Sequence, residues 1–70
     1  MAEIRAEMVA NVWKVVAEEG HPVQAGDTLV ILESMKMEIP VLAEDTGTLA
    51  KLHVAEGDVV QEGDLIAVIG

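Results

Sequence analysis

The sequence predicts an all-β domain built from two related halves, and three features support this: an internal repeat, regularly placed turn residues and the lack of a helical pattern. Residues 19–27 align with residues 56–64 at a constant offset (57 − 20 = 63 − 26 = 37). Both segments contain Glu-Gly and Gln-x-Gly-Asp, which favour turns, and runs of Val, Ile and Leu flank them. Two copies of one unit indicate two halves related by approximate twofold symmetry, each covering the apolar face of the other.

The apolar runs between the turns predict the individual strands. The best helical candidate, residues 12–19, is rich in β-branched valine and runs into Gly20 and Pro22, so we interpret it as a strand. Pro22 and Pro40 are expected at turns or sheet edges, where a missing backbone donor costs nothing. Six strands are predicted, near Ile4 to Met8, Val12 to Ala17, Thr28 to Glu33, Met37 to Leu42, Gly47 to Val54 and Leu65 to Ile69.

One irregularity recurs in both copies of the repeat. Leu49 and Leu52 are three residues apart, which breaks the strict alternation of a strand, and their counterparts Val12 and Val15 have the same spacing. A β-bulge at the same place in each copy explains this spacing and helps a sheet to bend around a small core.

Size and charge limit the classes of function. The 70 residues, with no cysteine, suit a single domain over residues 1–70 with one core, and we expect a monomer because the repeat closes that core within one chain. Asp and Glu total 13 against 4 Lys and Arg, a net charge of −9 that repels nucleic acid and anionic membranes as partners. Without a signal-like start or a membrane-spanning apolar run, we expect a cytoplasmic location.

The segment between the two copies must reverse direction, and its tip falls at Met35-Lys36. Tight two-residue hairpins need positive φ at both central residues and therefore favour Asn-Gly or Asp-Gly, neither of which stands here. A tight turn at this tip would strain each residue by about 1 kcal/mol, and such strain tends to accompany function.

The residues around the tip are candidates for recognition. An exposed lysine is ordinarily a solvated charge, but Lys36 lies between Met35 and Met37. Two long apolar side chains at a tip favour contact with a partner, although they could also fold back over the end of the barrel. Glu33 and Glu38 are equally consistent with solubility or with recognition.

The run Glu33-Ser34-Met35-Lys36-Met37-Glu38 resembles the biotinyl attachment domain family, whose motif centres on Met-Lys-Met at a hairpin tip. The repeat, the hairpin between its halves and the paired Gly-Asp turns extend the resemblance over nearly the whole chain. It implies a flattened β-barrel, a barrel-sandwich hybrid of two pseudo-twofold related four-strand halves. The short length looks most like the stand-alone biotin/lipoyl attachment proteins, and Ser34 stands where the family usually has alanine.

The resemblance implies a carrier and not an enzyme. Biotin would be the covalent cofactor on Lys36, attached by a biotin protein ligase that forms biotinyl-adenylate from ATP. The biotinyl group would then carry CO₂ between biotin carboxylase and carboxyltransferase components. Met35 and Met37 would be the flanking recognition residues, with Glu33, Ser34 and Glu38 as further contacts.

Three other functions remain open from the sequence. A lipoyl domain shares the barrel, but that family usually has an acidic residue before the lysine and alanine after it. An unmodified binding module would dock a partner through the methionines. An independent enzyme is poorly supported, because His21 and His53 lack metal-ligand spacing, and Glu18-Glu19 and Glu44-Asp45 are interpreted as loop charges. Trp13, the single aromatic residue, is expected in the core or in packing at the barrel end.

Overall fold

The computed structural model describes residues 2–70, and within them the regular structure consists of eight strands. No helix among these residues is long and apolar enough to cross a membrane. The strands are β1 Ala2–Arg5, β2 Ala10–Val15, β3 Pro22–Val23, β4 Thr28–Ser34, β5 Met37–Leu42, β6 Gly47–Leu52, β7 Val59–Val60 and β8 Leu65–Ile69.

The strands form two antiparallel sheets of four, ordered β1-β8-β6-β3 and β5-β4-β2-β7. A shift of 37 residues carries β1, β2, β3 and β4 onto β5, β6, β7 and β8, so each sheet maps onto the other. The two halves predicted from the repeat are therefore confirmed. Leu29, Leu49 and Ile66, each 0% exposed, lie at the centre of the core between the sheets.

The repeated Gln-x-Gly-Asp segments form equivalent turns. Gly26 and Gly63 have φ of 95° and 89°, a region that side chains disfavour. The Asp27 carboxylate accepts a hydrogen bond from the backbone N–H of Gln24 at 2.9 Å, and Asp64 accepts one from Gln61 at 2.8 Å. The glycine thus permits the turn and the aspartate closes it, which explains why both residues recur.

The predicted bulge is confirmed in both halves. The register shifts between Val12 and Lys14 where β2 pairs with β4, and between Leu49 and Lys51 where β6 pairs with β8. Pro22 opens β3 and Pro40 lies on β5, and both strands are at sheet edges, as expected.

Several strand boundaries differ from the prediction. β1 covers Ala2–Arg5 instead of Ile4 to Met8, because its ladder with β8 ends at Arg5 and the chain then crosses to the other sheet. β2 begins and ends two residues earlier than expected, and β6 ends two residues earlier. The pairs Pro22–Val23 and Val59–Val60 were absent from the six predicted strands, since two residues carry no readable periodicity.

The prediction that Trp13 packs in the core or at the barrel end is wrong. Val12 points inward and is 1% exposed, and Trp13 is the extra residue of the bulge, where both Trp13 and Lys14 face outward. Trp13 is 45% exposed, with the Lys14 ammonium 5.4 Å from its ring centroid. This contact is a surface cation–π pair.

Candidate functional site: the lysine hairpin

The hairpin of β4 and β5 presents Lys36 at a tight turn. Ser34 pairs with Met37 in the last step of the ladder, so Met35 and Lys36 alone form the connection. Their φ angles are 52° and 65°, which confirms the predicted positive φ at both positions. No other non-glycine residue in the part of the chain that the structure describes has a positive φ. The turn therefore holds two unfavourable conformations, at a cost of about 1 kcal/mol each.

The side chains of the turn project into solvent. Met35 is 92% exposed and Met37 is 64% exposed, so the alternative in which both fold back over the barrel is wrong. Lys36 is also exposed, and within residues 2–70 it takes part in no ion pair. Its amine is therefore accessible to a reagent from outside the domain.

The strands below the tip are anchored in the core. Leu29 and Val30 of β4 are 0% exposed and Leu32 is 2% exposed, while Ile39 of β5 packs half-buried against the same core. Because the hairpin root is packed, the position and direction of the exposed turn are fixed by the domain. The site combines a packed base with an exposed reactive group.

Two glutamates lie side by side just below the tip. Glu33 and Glu38 are direct cross-strand partners and both are exposed. Like charges in this arrangement oppose pairing. Asn11 of β2 pairs with Glu33 of β4 on one side and with Val59 of β7 on the other. The outer face of this sheet thus carries the row Glu38, Glu33, Asn11 and Val59, one step below the turn.

Ser34 is half-buried at the base of the turn, opposite Met37. The structure thereby brings together all six residues that the motif singled out, within one hairpin. It does not join the other candidate groups to them. His21 is exposed and pairs with Glu18 at 3.3 Å, His53 is exposed on its own, and within residues 2–70 no cluster of three His, Asp or Glu side chains could hold a metal ion.

Sequence reasoning missed part of the surface around the hairpin. Met8, Val9 and Val59 are 40%, 62% and 63% exposed although all are apolar. A signal was present in the repeat, because the residues 37 positions away are Asp45, Thr46 and Pro22. Such a departure between copies marks positions that the shared fold does not require to be apolar.

A two-sheet domain that holds one accessible lysine on a rigid hairpin tip has the form of an attachment domain for a covalent group. Residues 2–69 match the family model described as "Biotin-requiring enzyme", and the chain belongs to this biotin/lipoyl family. Biotin is thus the cofactor that the family implies, and a free amine at an exposed, firmly held tip suits the attachment of its acyl chain.

Individual relatives agree with this assignment. The chain is 67% identical over 70 residues to the biotinylated protein TB7.3 homolog of Mycolicibacterium smegmatis and 61% identical over 70 residues to that of Mycobacterium leprae; in both cases the match covers 99% of each chain. Among solved structures it resembles Kluyveromyces lactis urea carboxylase with a TM-score of 0.92 and 40% identity, over 99% of this chain and 6% of that chain. The similarity to the carboxylase therefore concerns one small part of a long enzyme.

Proposed function

We propose that residues 1–70 act as one biotin carrier domain in which the Lys36 amine holds biotin as an amide. The observation that carries the proposal is the strained turn at Met35-Lys36, which keeps a lysine exposed where the fold alone would favour Asn-Gly. Membership of the family and close identity to proteins named as biotinylated support it.

The chemistry at Lys36 is an acyl transfer. The Nζ lone pair attacks the acyl carbon of an activated biotin, a C–N bond forms, and the bond to the adenylate oxygen breaks to release AMP. A lysine ammonium has no free lone pair, so the ligase must take up a proton from Nζ. This carrier is therefore a substrate of the ligase and contributes no catalytic group of its own.

The product places a reactive ring at the end of a long arm. Amide formation removes the positive charge, and bound biotin supplies a ureido ring that accepts and releases a carboxyl group. Lysine and biotin together extend roughly 14 Å by their bond lengths, so the ring can enter an enzyme cleft while the domain stays outside. Tethering raises the effective concentration of the ring at two active sites in turn.

The residues around Lys36 have distinct proposed roles. Met35 and Met37 supply adaptable apolar contacts to more than one partner, since a side chain that is 92% or 64% exposed can be buried only by another molecule. The repulsion between Glu33 and Glu38 is offset when a basic surface approaches. Ser34, at the base of the turn, keeps a small side chain where the partner meets the hairpin.

The partners in this proposal are a biotin protein ligase and the biotin carboxylase and carboxyltransferase components of a carboxylase. We propose a monomer, because the two repeats enclose one core within a single chain. We also propose a cytoplasmic location, where the ligase finds ATP.

The test is intact mass measurement after incubation with a purified biotin protein ligase, biotin and ATP. The parent chain should gain one biotinyl group, and Lys36→Arg should gain none because a guanidinium does not form the amide. Lys51→Arg, which changes another exposed lysine, is the matched control and should be modified like the parent. An unmodified parent would contradict the proposal. A lipoyl group on the chain after expression in lipoate-supplied cells would contradict it as well.

A further inference from the structure

The repeat provides an internal comparison for the surface around Lys36. The 37-residue shift exchanges the hairpin end of the domain with the end where β1 begins and β8 ends. Positions that the fold needs recur in both halves: Val12 and Leu49 are both buried, and so are Ala6 and Ala43. An exposed apolar residue present at only one end therefore needs another explanation.

Of the residues of this kind, three lie towards the hairpin end of the domain, and we call them the collar: Met8, Val9 and Val59. They are 40%, 62% and 63% exposed. Their counterparts at the other end, Asp45, Thr46 and Pro22, are exposed as well, and none of them has a methionine-like or valine-like side chain. The architecture is thus compatible with other side chains at these places, and exposing large apolar ones to water is unfavourable.

The collar borders the lysine hairpin. Val59 belongs to the outer row next to Asn11, which itself pairs with Glu33. The β2–β4 ladder ends at the pair Asn11 and Glu33, and both Val9 and Met35 lie two residues beyond that end. Met8 lines a groove together with Leu32 and Ile39 at the hairpin root. An enzyme that reaches the Lys36 amine therefore meets the collar.

Val9 cannot form the hydrogen bond that its counterpart Thr46 forms through its hydroxyl group. The Thr46 hydroxyl oxygen accepts a hydrogen bond from the backbone N–H of Ala25 at 3.1 Å. The corresponding donor at the hairpin end is the N–H of Glu62, and Val9 has no oxygen to accept it. The chain thus has a valine where a threonine would serve the fold better, and this points to a role outside the fold.

We propose that the collar is the docking surface for the ligase that acylates Lys36; this inference rests on the proposed function. The lysine side chain extends only about 6 Å from its Cα, so an enzyme acting on Nζ must press against the surface around the turn. A carboxylase acts on the far end of the biotinyl arm and has no such need. The acidic pair Glu33 and Glu38 indicates a ligase surface with an apolar centre and basic side chains at its edge.

The decisive experiment compares isosteric Val-to-Thr variants under steady-state biotinylation by a purified ligase. The double variant Val9→Thr, Val59→Thr should lower kcat/KM about tenfold, chiefly through KM, because each hydroxyl must lose water at an apolar interface. Its thermal unfolding should match or exceed that of the parent, since the hydroxyl introduced by Val9→Thr can accept the Glu62 N–H. Val16→Thr is the matched control. Val16 is 53% exposed and follows β2 at the end away from the hairpin, where its N–H bonds to the Leu29 carbonyl, so this variant should leave kcat/KM unchanged.

The reciprocal variant completes the test. Thr46→Val removes the hydrogen bond to Ala25 and should lower the unfolding temperature while kcat/KM of the ligase stays at the parent value. The Val9→Thr, Val59→Thr double variant, once driven to full biotinylation, should be carboxylated by a biotin carboxylase at the parent rate. An unchanged ligase kcat/KM, or a loss confined to the carboxylase step, would overturn the inference. Absence of modification on the parent would instead overturn the proposed function, which the mass measurement reads separately.

Discussion

The carboxylate of Glu19 accepts a hydrogen bond at 2.7 Å from the backbone N–H of Leu52, at the end of β6. Its counterpart Glu56 accepts one at 3.1 Å from Val15, at the end of β2. Each glutamate therefore satisfies a strand end in the opposite half of the repeat. The adjacent glycines instead donate across the repeat, from the Gly20 N–H to the Leu49 carbonyl and from the Gly57 N–H to the Val12 carbonyl, so the Glu-Gly pairs join the two halves.

Glu19→Ala should destabilise the domain. The variant removes the carboxylate that accepts the Leu52 N–H and leaves only water to replace this charged acceptor. We expect a loss of about 1 kcal/mol in the free energy of unfolding. Urea unfolding followed by circular dichroism measures it.

The neighbouring glutamate supplies the control. Glu18→Ala removes an equal charge, but within residues 2–70 the Glu18 carboxylate has an ion pair only with the exposed His21 ring, at 3.3 Å. Its loss should stay within about 0.5 kcal/mol. Equal losses for the Glu18 and Glu19 variants would show that the effect is one of net charge and not of the bond to Leu52.

Replacing the turn residues should stabilise the domain. The double variant Met35→Asn, Lys36→Gly places residues that favour positive φ at the two turn positions, where φ is 52° and 65°. Because Met35 is 92% exposed, little buried contact is lost. We expect a gain of about 1 to 2 kcal/mol in the free energy of unfolding, measured by chemical denaturation.

The gain should depend on the turn and not on polarity. Met37→Asn makes the same change at a neighbouring exposed methionine that lies in β5, where asparagine is disfavoured. This control should be neutral or slightly less stable than the parent. A double variant no more stable than Met37→Asn would refute the idea that the natural tip is strained.

The general architecture and the tip could be predicted because their signals are local or repeated. The 37-residue offset indicated the two halves, the spacing of Leu49 and Leu52 indicated the bulge, and a reversal without Asn-Gly indicated the strained turn. Each signal depends on residues a few positions apart or on a comparison of the two copies.

The features that the sequence did not reveal depend on distant partners or on side-chain direction. The sequence predicts Glu19 only as a loop charge, because its partner Leu52 is 33 residues away. The single aromatic residue, Trp13, is expected in the core or at the barrel end, but it is the extra residue of the β2 bulge and faces outward. The strands of only two residues carry too short a pattern to recognise.

Gly47 should be intolerant of a side chain, although its φ is ordinary. A Cβ at this position would lie 2.5 Å from the Gly70 carbonyl oxygen and 3.0 Å from a methyl group of Ile69. Since the nearest atom is backbone, Gly47→Ala must shift the pairing of Thr48 with Gly70 and should cost about 1 to 3 kcal/mol. Gly70→Ala is the matched control, because its Cβ would meet only Ala50 at an ordinary 3.5 Å. Denaturant unfolding of both variants decides the point, and equal stabilities would contradict the close approach at Gly47.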